Sequence, residues 1–330
     1  MNFLLSLFAV LLLTAAAWSA VYCEWAKFFI TCAMPYIAGI LFIFGTLYRV
    51  IQYGRTPVPF RIPTTSGQQK SLAWIKSDRF ESPHNAAGVM GRMFLEALFF
   101  RSLFRNTKFE LAQGPVLAYG SSKFLWLGGL LFHWSFLIII LRHLRYFAEP
   151  VPIVSTLIQN IDGIFEIGLP PLFMTNVLIV AALIYLIMRR LTNPLVRYIS
   201  LMSDHFPLIL ILSIIVSGIL MRHFLKVDLF EVKKYALGLV NFSPAVPKGV
   251  GGIFYIHLFL VSALAIYLPF SKLIHFIGVF LSPTRNMANT NRMRRHINPW
   301  DYPVKVHTYE EWESEFRDKL KASGYELEKE

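Results

Sequence analysis

The sequence predicts an all-α membrane protein built as a bundle of six transmembrane helices. Hydrophobic residues make up 55% of its 330 residues and charged residues only 16%, whereas soluble domains are about a quarter charged. The mean hydropathy is +0.51. Apolar runs long enough to cross about 30 Å of hydrocarbon as helices lie at about 3–20, 28–49, 123–147, 171–188, 207–225 and 253–280.

The first apolar run, FLLSLFAVLLLTAAAWSA, has two interpretations. It is short and ends in small residues around Ala17 and Ala20, as secretory signal peptides do. It lacks the basic region with which such signals begin. We therefore favour a retained helix, which makes residues 1–27 an extra N-terminal span.

Lysine and arginine in the loops predict the orientation, because they accumulate on the cytoplasmic side. The segment 148–170 has none and carries Glu149, Asp162 and Glu166. Loops 189–204 and the tail after 280 are basic, and loop 226–252 is mixed. We expect both termini in the cytoplasm, together with a basic insert at 53–121 that contains Arg55, Arg61, Lys70, Lys76, Arg79, Arg92, Arg101, Arg105 and Lys108.

The net charge of +12 is explained by this positive-inside asymmetry. Nucleic-acid binding would need basic residues gathered on a soluble domain, so no nucleic-acid partner is predicted. The expected organisation is the span at 1–27, a membrane domain at 28–282 that includes the insert, and a cytoplasmic tail at 283–330.

Two polar segments have a helical pattern. Residues 91–104 place Phe94 and Leu98 on one side and Arg92 near the other, which fits either a helix in the headgroup region or a surface helix covering the bundle. In the tail, Trp312, Phe316 and Leu320 have helical spacing in a charged background. The tail is either a docking element for a cytoplasmic partner or a solvated helix.

Several kinds of redox and nucleotide site are excluded by motif. Cys23 and Cys32 cannot supply a four-thiolate iron–sulfur cluster. No CxxCH motif for covalent haem occurs. The glycine-rich stretches at 128–131 and 249–252 lack the context of a nucleotide loop.

Histidines within the apolar runs carry the strongest functional signal, because ionisable residues in spans are costly and usually functional. They form three pairs, each within one span: His133 and His143, His205 and His223, His257 and His275. Neutral imidazole is a common haem ligand, and four histidines on facing helices suffice for two haems. In a continuous helix His257 and His275 would share a face about 27 Å apart in depth.

Two pairs compete as partners for His257 and His275. His205 and His223 have the same spacing of 18 residues, so matching by depth favours them. However, Asp204 and Pro207 mark a helix N-terminus, which would put His205 at the water interface. His133 and His143 lie deeper but are only 10 residues apart. Spacing alone leaves the choice open.

A family resemblance bears on that choice. HLFLVSALAIYLPFSKLIH, residues 257–275, resembles the last transmembrane helix of the gamma subunit of respiratory nitrate reductase. MPYIAGILFIFGTLYRVIQYG at 34–54 is similar to the first helix of that family, and the span with His133 and His143 to the second. The extra N-terminal span, the long insert and the tail look more like the related membrane subunit M of the DsrMKJOP complex.

The resemblance implies two haems b with four axial ligands. It pairs His133 with His275 near the cytoplasm, and His143 with His257 near the outer face. Four nearby cationic side chains could neutralise the haem propionates through charged hydrogen bonds: Arg142, Arg145, Arg222 and Lys272. For Arg145 and Lys272, snorkelling to the interface is an equal alternative. For a quinone we favour His223 and Arg222, because they lie at the outer boundary close to the expected outer haem.

The resemblance also implies a function and partners. Menaquinol would be oxidised at the outer face, and electrons would pass inward to a cytoplasmic iron–sulfur protein of the heterodisulfide-reductase type in dissimilatory sulfur metabolism. Other membrane and extracytoplasmic subunits would complete the complex. The alternatives are a gamma subunit of a nitrate-reductase-type quinol oxidoreductase, or a transporter without haem whose histidines relay protons.

Overall fold

The structure is a computed structural model that describes residues 1–57, 67–112, 116–163, 171–294, 303 and 306–328. Arg61, Glu166 and Arg295, which counted toward the predicted orientation, lie outside the described residues. The α-helices within these ranges are α1 Asn2–Ala20, α2 Glu24–Phe28, α3 Met34–Gly54, α4 Ala86–Phe99, α5 Arg101–Arg105, α6 Lys123–Phe147, α7 Ile153–Asp162, α8 Met174–Thr192, α9 Pro194–Ile199, α10 Met202–Ile219, α11 Leu229–Val240, α12 Gly252–Tyr267, α13 His275–Leu281, α14 Pro283–Asn286 and α15 Tyr309–Ala322.

The prediction of six membrane spans is confirmed. Six helices in the described ranges are long and apolar enough to cross a bilayer. They are α1, a continuous helix from Glu24 to Gly54 that joins α2 and α3 through a π-helical turn, α6, α8, α10 with a π-helical turn that ends at Phe224, and α12 with a 3-10 turn that ends at Phe270. The protein is therefore a multi-pass membrane protein.

One small element lies outside the all-α prediction. Strands β1 Thr107–Ala112 and β2 Val116–Ser121 pair as an antiparallel hairpin within the insert, with Phe109 opposite Tyr119. A two-stranded hairpin is only marginally stable by itself. It lies just before α6 and leaves the helical fold class unchanged.

The centre of the bundle is formed by α10 and α12, which pack on each other and on α1, α3 and α8. The largest fully buried side chains of this core include Val10, Ile179, Leu183, Leu210 and Leu260. α1 belongs to this core through Val10 and also through polar contacts. The Asn2 side chain donates to the Ser200 carbonyl at 3.0 Å.

Small residues allow the helices to approach closely, as expected where lipid removes the hydrophobic drive for helix association. A methyl group at Gly45 of α3 would lie 2.8 Å from Cβ of Pro269, and one at Gly128 of α6 would lie 2.6 Å from the Tyr185 ring. These contacts fix the α3–α12 and α6–α8 crossings.

The last predicted span, 253–280, is present but is interrupted at Pro269, where a kink is expected for a proline. α12 ends at Tyr267, a 3-10 turn spans Leu268–Phe270, Ser271 is extended, and a second 3-10 turn precedes α13. Pro269 explains the break, because it has no N–H to donate and its ring clashes with the preceding turn. Arg49 of α3 donates from Nε to the Pro269 carbonyl at 3.2 Å. The helical count that put His257 and His275 on one face about 27 Å apart in depth therefore does not apply.

The amphipathic helix predicted at 91–104 is two helices, α4 and α5, separated by Phe100 in a left-handed conformation with φ of 50°. Arg92 was expected on an exposed polar side and is buried instead. Its guanidinium donates to the Met287 carbonyl at 2.9 Å and to the Arg285 carbonyl, beyond α13. Burial lowers the pKa of Arg92. This contact ties the insert to the start of the tail.

The helical pattern in the tail is confirmed by α15, which contains Trp312, Phe316 and Leu320. Its N-terminus is a capping box. The Thr308 hydroxyl accepts from the Glu311 amide at 3.2 Å, and the Glu311 carboxylate accepts from the Thr308 amide at 3.2 Å.

Candidate functional site

His133 and His275 meet at one end of the bundle. His133 lies in α6 and His275 begins α13, and their ring centres are 6.0 Å apart with the ring planes at 87°. His133 donates from Nδ1 to the Gly129 carbonyl at 2.7 Å, and His275 donates from Nδ1 to the Lys272 carbonyl at 2.9 Å. A carbonyl only accepts, so Nδ1 carries the proton and the lone pair is on Nε2 in both rings.

His143 and His257 are the second predicted pair. His143 lies in α6, about 15 Å beyond His133 by helix rise, and His257 lies in α12. His143 donates from Nδ1 to the Ile139 carbonyl at 2.7 Å. His257 Nδ1 lies 2.9 Å from the Ser217 hydroxyl oxygen, and that hydroxyl donates to the Ile214 carbonyl at 2.8 Å. His257 is therefore the donor to Ser217, and Nε2 again carries the lone pair.

The donor set of these two pairs fits haem iron. His133 and His275, whose ring centres are 6.0 Å apart, could together hold one haem iron through their Nε2 lone pairs. Among the residues that the structure describes there is no cluster of three or more His, Cys, Asp or Glu side chains suited to a metal ion. A haem needs only two axial ligands from the protein, so the chemistry of the pairs agrees with haem more than with a bare metal.

Gly218 of α10 lies beside His257 of α12. A methyl group at Gly218 would lie 3.4 Å from Cε1 of His257, about van der Waals distance. Sequence reasoning missed both Ser217 and Gly218. The sequence feature that could have identified them is a small polar residue beside a glycine, in a run of otherwise bulky apolar residues.

His205 lies in the first turn of α10, at the predicted helix N-terminus, but its side chain is buried there and not exposed to water. α10 begins at Met202, before Pro207, and the His205 ring is 3% exposed and packs edge-on against Phe3 of α1 at 5.7 Å. Its neighbour Asp204 accepts from Lys272 at 2.8 Å. The structure thus turns His205 toward the N-terminal helix and sets His133 against His275.

Arg142 and Arg222 lie beside the second pair, and both guanidinium groups lie over the Phe173 ring, at 3.8 Å and 4.5 Å from its centre. Arg142 forms a buried ion pair with Asp162 at 3.0 Å and donates to the Asn176 side chain at 2.9 Å. The structure therefore gives Arg142 a carboxylate partner within the chain.

Asp162 was noted in the sequence only as a loop charge, and the structure makes it central to this region. Its carboxylate accepts from the Thr175 amide at 2.9 Å and from the Thr175 hydroxyl at 2.6 Å, in addition to its pair with Arg142. A buried ion pair needs such further hydrogen bonds to offset desolvation. No sequence motif marks this residue, because its partners come from α6 and α8.

His223 lies in the π-helical turn Leu220–Phe224, next to Arg222. Within the described ranges, His223 Nε2 and Arg222 Nε are buried without a hydrogen-bond partner. Buried polar atoms without a partner are costly and often mark a place where a ligand binds. Of the other predicted cations, Arg145 donates to the Gln159 side chain.

The chain is similar to a known protein family and to two named relatives. The family described as nitrate reductase gamma subunit matches residues 103–294, which contain the three histidine pairs but not the helix at 34–54. A protein of Archaeoglobus fulgidus named Hdr-like menaquinol oxidoreductase cytochrome b-like subunit is 46% identical over 275 residues, covering 81% of this chain and 82% of its own. A protein of the same name from Archaeoglobus profundus is 42% identical over 276 residues, with 82% of each chain covered. This family match extends over more than half of the chain and includes the spans that hold its histidine pairs. The chain therefore belongs to the nitrate reductase gamma subunit family.

Proposed function

We propose that this chain is the dihaem cytochrome b subunit of a membrane-bound menaquinol oxidoreductase. The observation that carries the proposal is that four histidines, of which His133 and His275 face each other, share one protonation pattern. Each uses Nδ1–H as a donor, which leaves Nε2 for a metal. The names of the two Archaeoglobus relatives, menaquinol oxidoreductase cytochrome b-like subunits, support the same function.

In this proposal His133 and His275 hold one haem b, and His143 and His257 hold the other. Haem iron supplies reversible one-electron chemistry when bound. The hydrogen bonds at Nδ1 select the tautomer, orient each ring and raise the basicity of Nε2. Arg142 and Arg222 contribute buried positive charge beside the second pair, where they would neutralise haem propionates through charged hydrogen bonds.

The same region is the proposed quinol site. Arg222 Nε would donate to one quinol oxygen, and His223 Nε2 would accept the proton of a quinol hydroxyl. The absence of partners for these two atoms in the described part of the chain supports this assignment. The electrons would then pass toward His133 and His275, with His133 about 15 Å from His143 along α6 by helix rise.

We place the His133–His275 end in the cytoplasm, with both termini, so the protein lies in the cytoplasmic membrane. The lysine and arginine distribution supports this orientation. The insert at 53–121 and the tail at 283–330 would bind a cytoplasmic iron–sulfur subunit of the heterodisulfide-reductase type, as in subunit M of the sulfur-metabolism complex. Other membrane and extracytoplasmic subunits would complete the assembly.

Haem content tests the assignment. The purified full chain should show the absorption bands of reduced b-type haem and two haems per polypeptide. A His133→Ala variant should lose one haem, whereas a His205→Ala variant should keep both. Loss with His205→Ala and retention with His133→Ala would overturn the pairing, and a colourless folded protein would favour the proton-relay transporter.

Quinol oxidation is tested separately from haem binding. In a His223→Gln variant the haem content should be unchanged, while reduction of the haems by a menaquinol analogue should slow by about 100-fold or more, the effect expected for removing a general base. An Arg189→Gln variant serves as a matched control, because Arg189 lies in the last turn of α8 near the opposite end of the bundle. Equal rates in the two variants would remove His223 from the quinol site.

A further inference from the structure

Helix α7 has three distinct faces around its axis. Ile153, Val154, Leu157 and Ile161 are 77%, 55%, 56% and 65% exposed, and at 100° per residue they fill one arc of about 100°. Ser155 and Asp162 are buried on a second arc. Thr156 and Asn160 are exposed on a third. α7 therefore presents an apolar face outward and a polar face to the protein.

The buried polar face is held by specific contacts with α6 and α8. The Ser155 hydroxyl donates to the Leu141 carbonyl at 2.9 Å, the Gln159 side chain accepts from Arg145, and Asp162 binds Arg142 and Thr175. These contacts fix the rotation of α7 about its axis. The fold therefore determines which way the apolar face of α7 points.

The depth of α7 follows from the same contacts. Leu141 lies six residues before the end of α6 at Phe147, which is about 9 Å by helix rise. α6 is one of the membrane spans, so α7 lies beside the last turns of a span and not beyond its end. Interfacial amphipathic helices insert to a depth of about 5–10 Å, which is the same range.

We propose that α7 lies in the plane of the bilayer interface, with Ile153, Val154, Leu157 and Ile161 among the lipid acyl chains. Thr156 and Asn160 then face the headgroup water, and the buried face with Ser155 and Asp162 closes the polar region around Arg142. Exposure of four apolar side chains to water would be unfavourable. Lipid removes that penalty. This inference depends on the membrane spans and is independent of the haem assignment.

The full chain, with any subunits that co-purify with it, is reconstituted in phosphatidylcholine vesicles. The test then compares two labelled positions on α7. A Cys23→Ser background leaves only the buried Cys32. Leu157→Cys on the apolar face and Asn160→Cys on the polar exposed face are each labelled with a bimane fluorophore. Quenching by a phospholipid with a nitroxide near the top of its acyl chain is compared with quenching by aqueous iodide. The background protein reports non-specific labelling.

We expect the ratio of lipid quenching to iodide quenching to be several-fold higher for Leu157→Cys than for Asn160→Cys. Equal ratios would overturn the proposal, because the two faces of α7 would then not differ in their exposure to lipid and water. A Leu157→Cys label protected from both quenchers would also overturn it and would indicate a protein partner on this face. The haem spectrum of the same samples tests the proposed function independently.

Discussion

The tautomers of the four histidines depend on two different kinds of hydrogen bond. His133, His143 and His275 donate to carbonyls three or four residues earlier in their own segments. A helical carbonyl has a second lone pair, so any residue type can provide this acceptor. His257 donates to the side chain of Ser217 on another helix. Only for His257 does the residue identity of the partner matter.

A Ser217→Ala variant should therefore weaken haem binding at the second pair. Partners of metal-ligating histidines typically contribute about 10- to 100-fold to affinity. We expect faster transfer of one haem to apomyoglobin, with the other haem unaffected. Ser262→Ala is the matched control, because Ser262 also donates to a carbonyl within its helix but contacts no histidine. Identical transfer rates for the two variants would contradict the role of Ser217.

The buried pair of Arg142 and Asp162 leads to a prediction about stability. Asp162→Asn keeps the shape of the side chain but leaves the Arg142 charge buried without a counter-ion, which costs about 3–5 kcal/mol. We expect a clearly lower unfolding midpoint in detergent. Glu149→Gln is the control, since the Glu149–Lys233 pair is largely exposed on the Glu149 side and such pairs contribute about 0–1 kcal/mol. A midpoint for Asp162→Asn equal to that of the control would refute the prediction.

At the scale of elements, the break in the last span determines where His275 lies. Pro269 ends the regular helix, Ser271 is extended, and α13 starts at His275 itself. The break is supported from α3, where Arg49 donates to the Pro269 carbonyl and Gly45 lets Pro269 approach. α3 therefore contributes to the site without supplying a ligand.

Gly45→Ala tests this contact. The added methyl would lie 2.8 Å from Pro269 and 2.9 Å from Phe270, so we expect a loss of about 1–3 kcal/mol in unfolding free energy. Gly39→Ala in the same helix has nothing within 4 Å of the new methyl and should be neutral or stabilising by up to about 1 kcal/mol. Chemical denaturation of both variants in the same detergent provides the comparison. A stable Gly45→Ala variant would show that the crossing can relax.

At the scale of the whole molecule, ion pairs join loops that lie at the same end of the bundle. Lys233 pairs with Glu149, so the loop with mixed charges, 226–252, lies at the end that holds the acidic segment. Lys272 pairs with Asp204, and Arg92 binds the Arg285 carbonyl, at the opposite end. Six consecutive spans cross the membrane in alternating directions, which places the same loops together at each end of the bundle.

The orientation of the molecule can be tested with a native residue. Cys23 is exposed between the first two spans, and if the termini are cytoplasmic it faces outward. A membrane-impermeant maleimide should label it in intact cells. In a Cys23→Ser background, Tyr198→Cys, at a position 91% exposed between α8 and α10, should be labelled only after permeabilisation. The reverse pattern would invert the proposed topology.

Much of the architecture was predictable, because lipid imposes a single strong requirement on a spanning segment. Every backbone polar group must be satisfied within the helix, so length and apolarity were enough to place six spans and to mark the histidines within them as exceptional. The lysine and arginine counts predicted an orientation, which remains a prediction. The residue that faces His275 could not be predicted from spacing along the helices. Matching by depth favoured His205, whereas family resemblance favoured His133.

The sequence by itself determined the number of spans, the fold class and the candidate ligands, because those depend on composition and on spacing along one helix. The tertiary structure decided which side chains meet. It turned His205 toward Phe3 and set His133 6.0 Å from His275, and it joined Asp162 to Arg142. These contacts depend on how helices cross and where the last span breaks. Crossing geometry depends on packing between residues far apart in the chain, which no local pattern encodes.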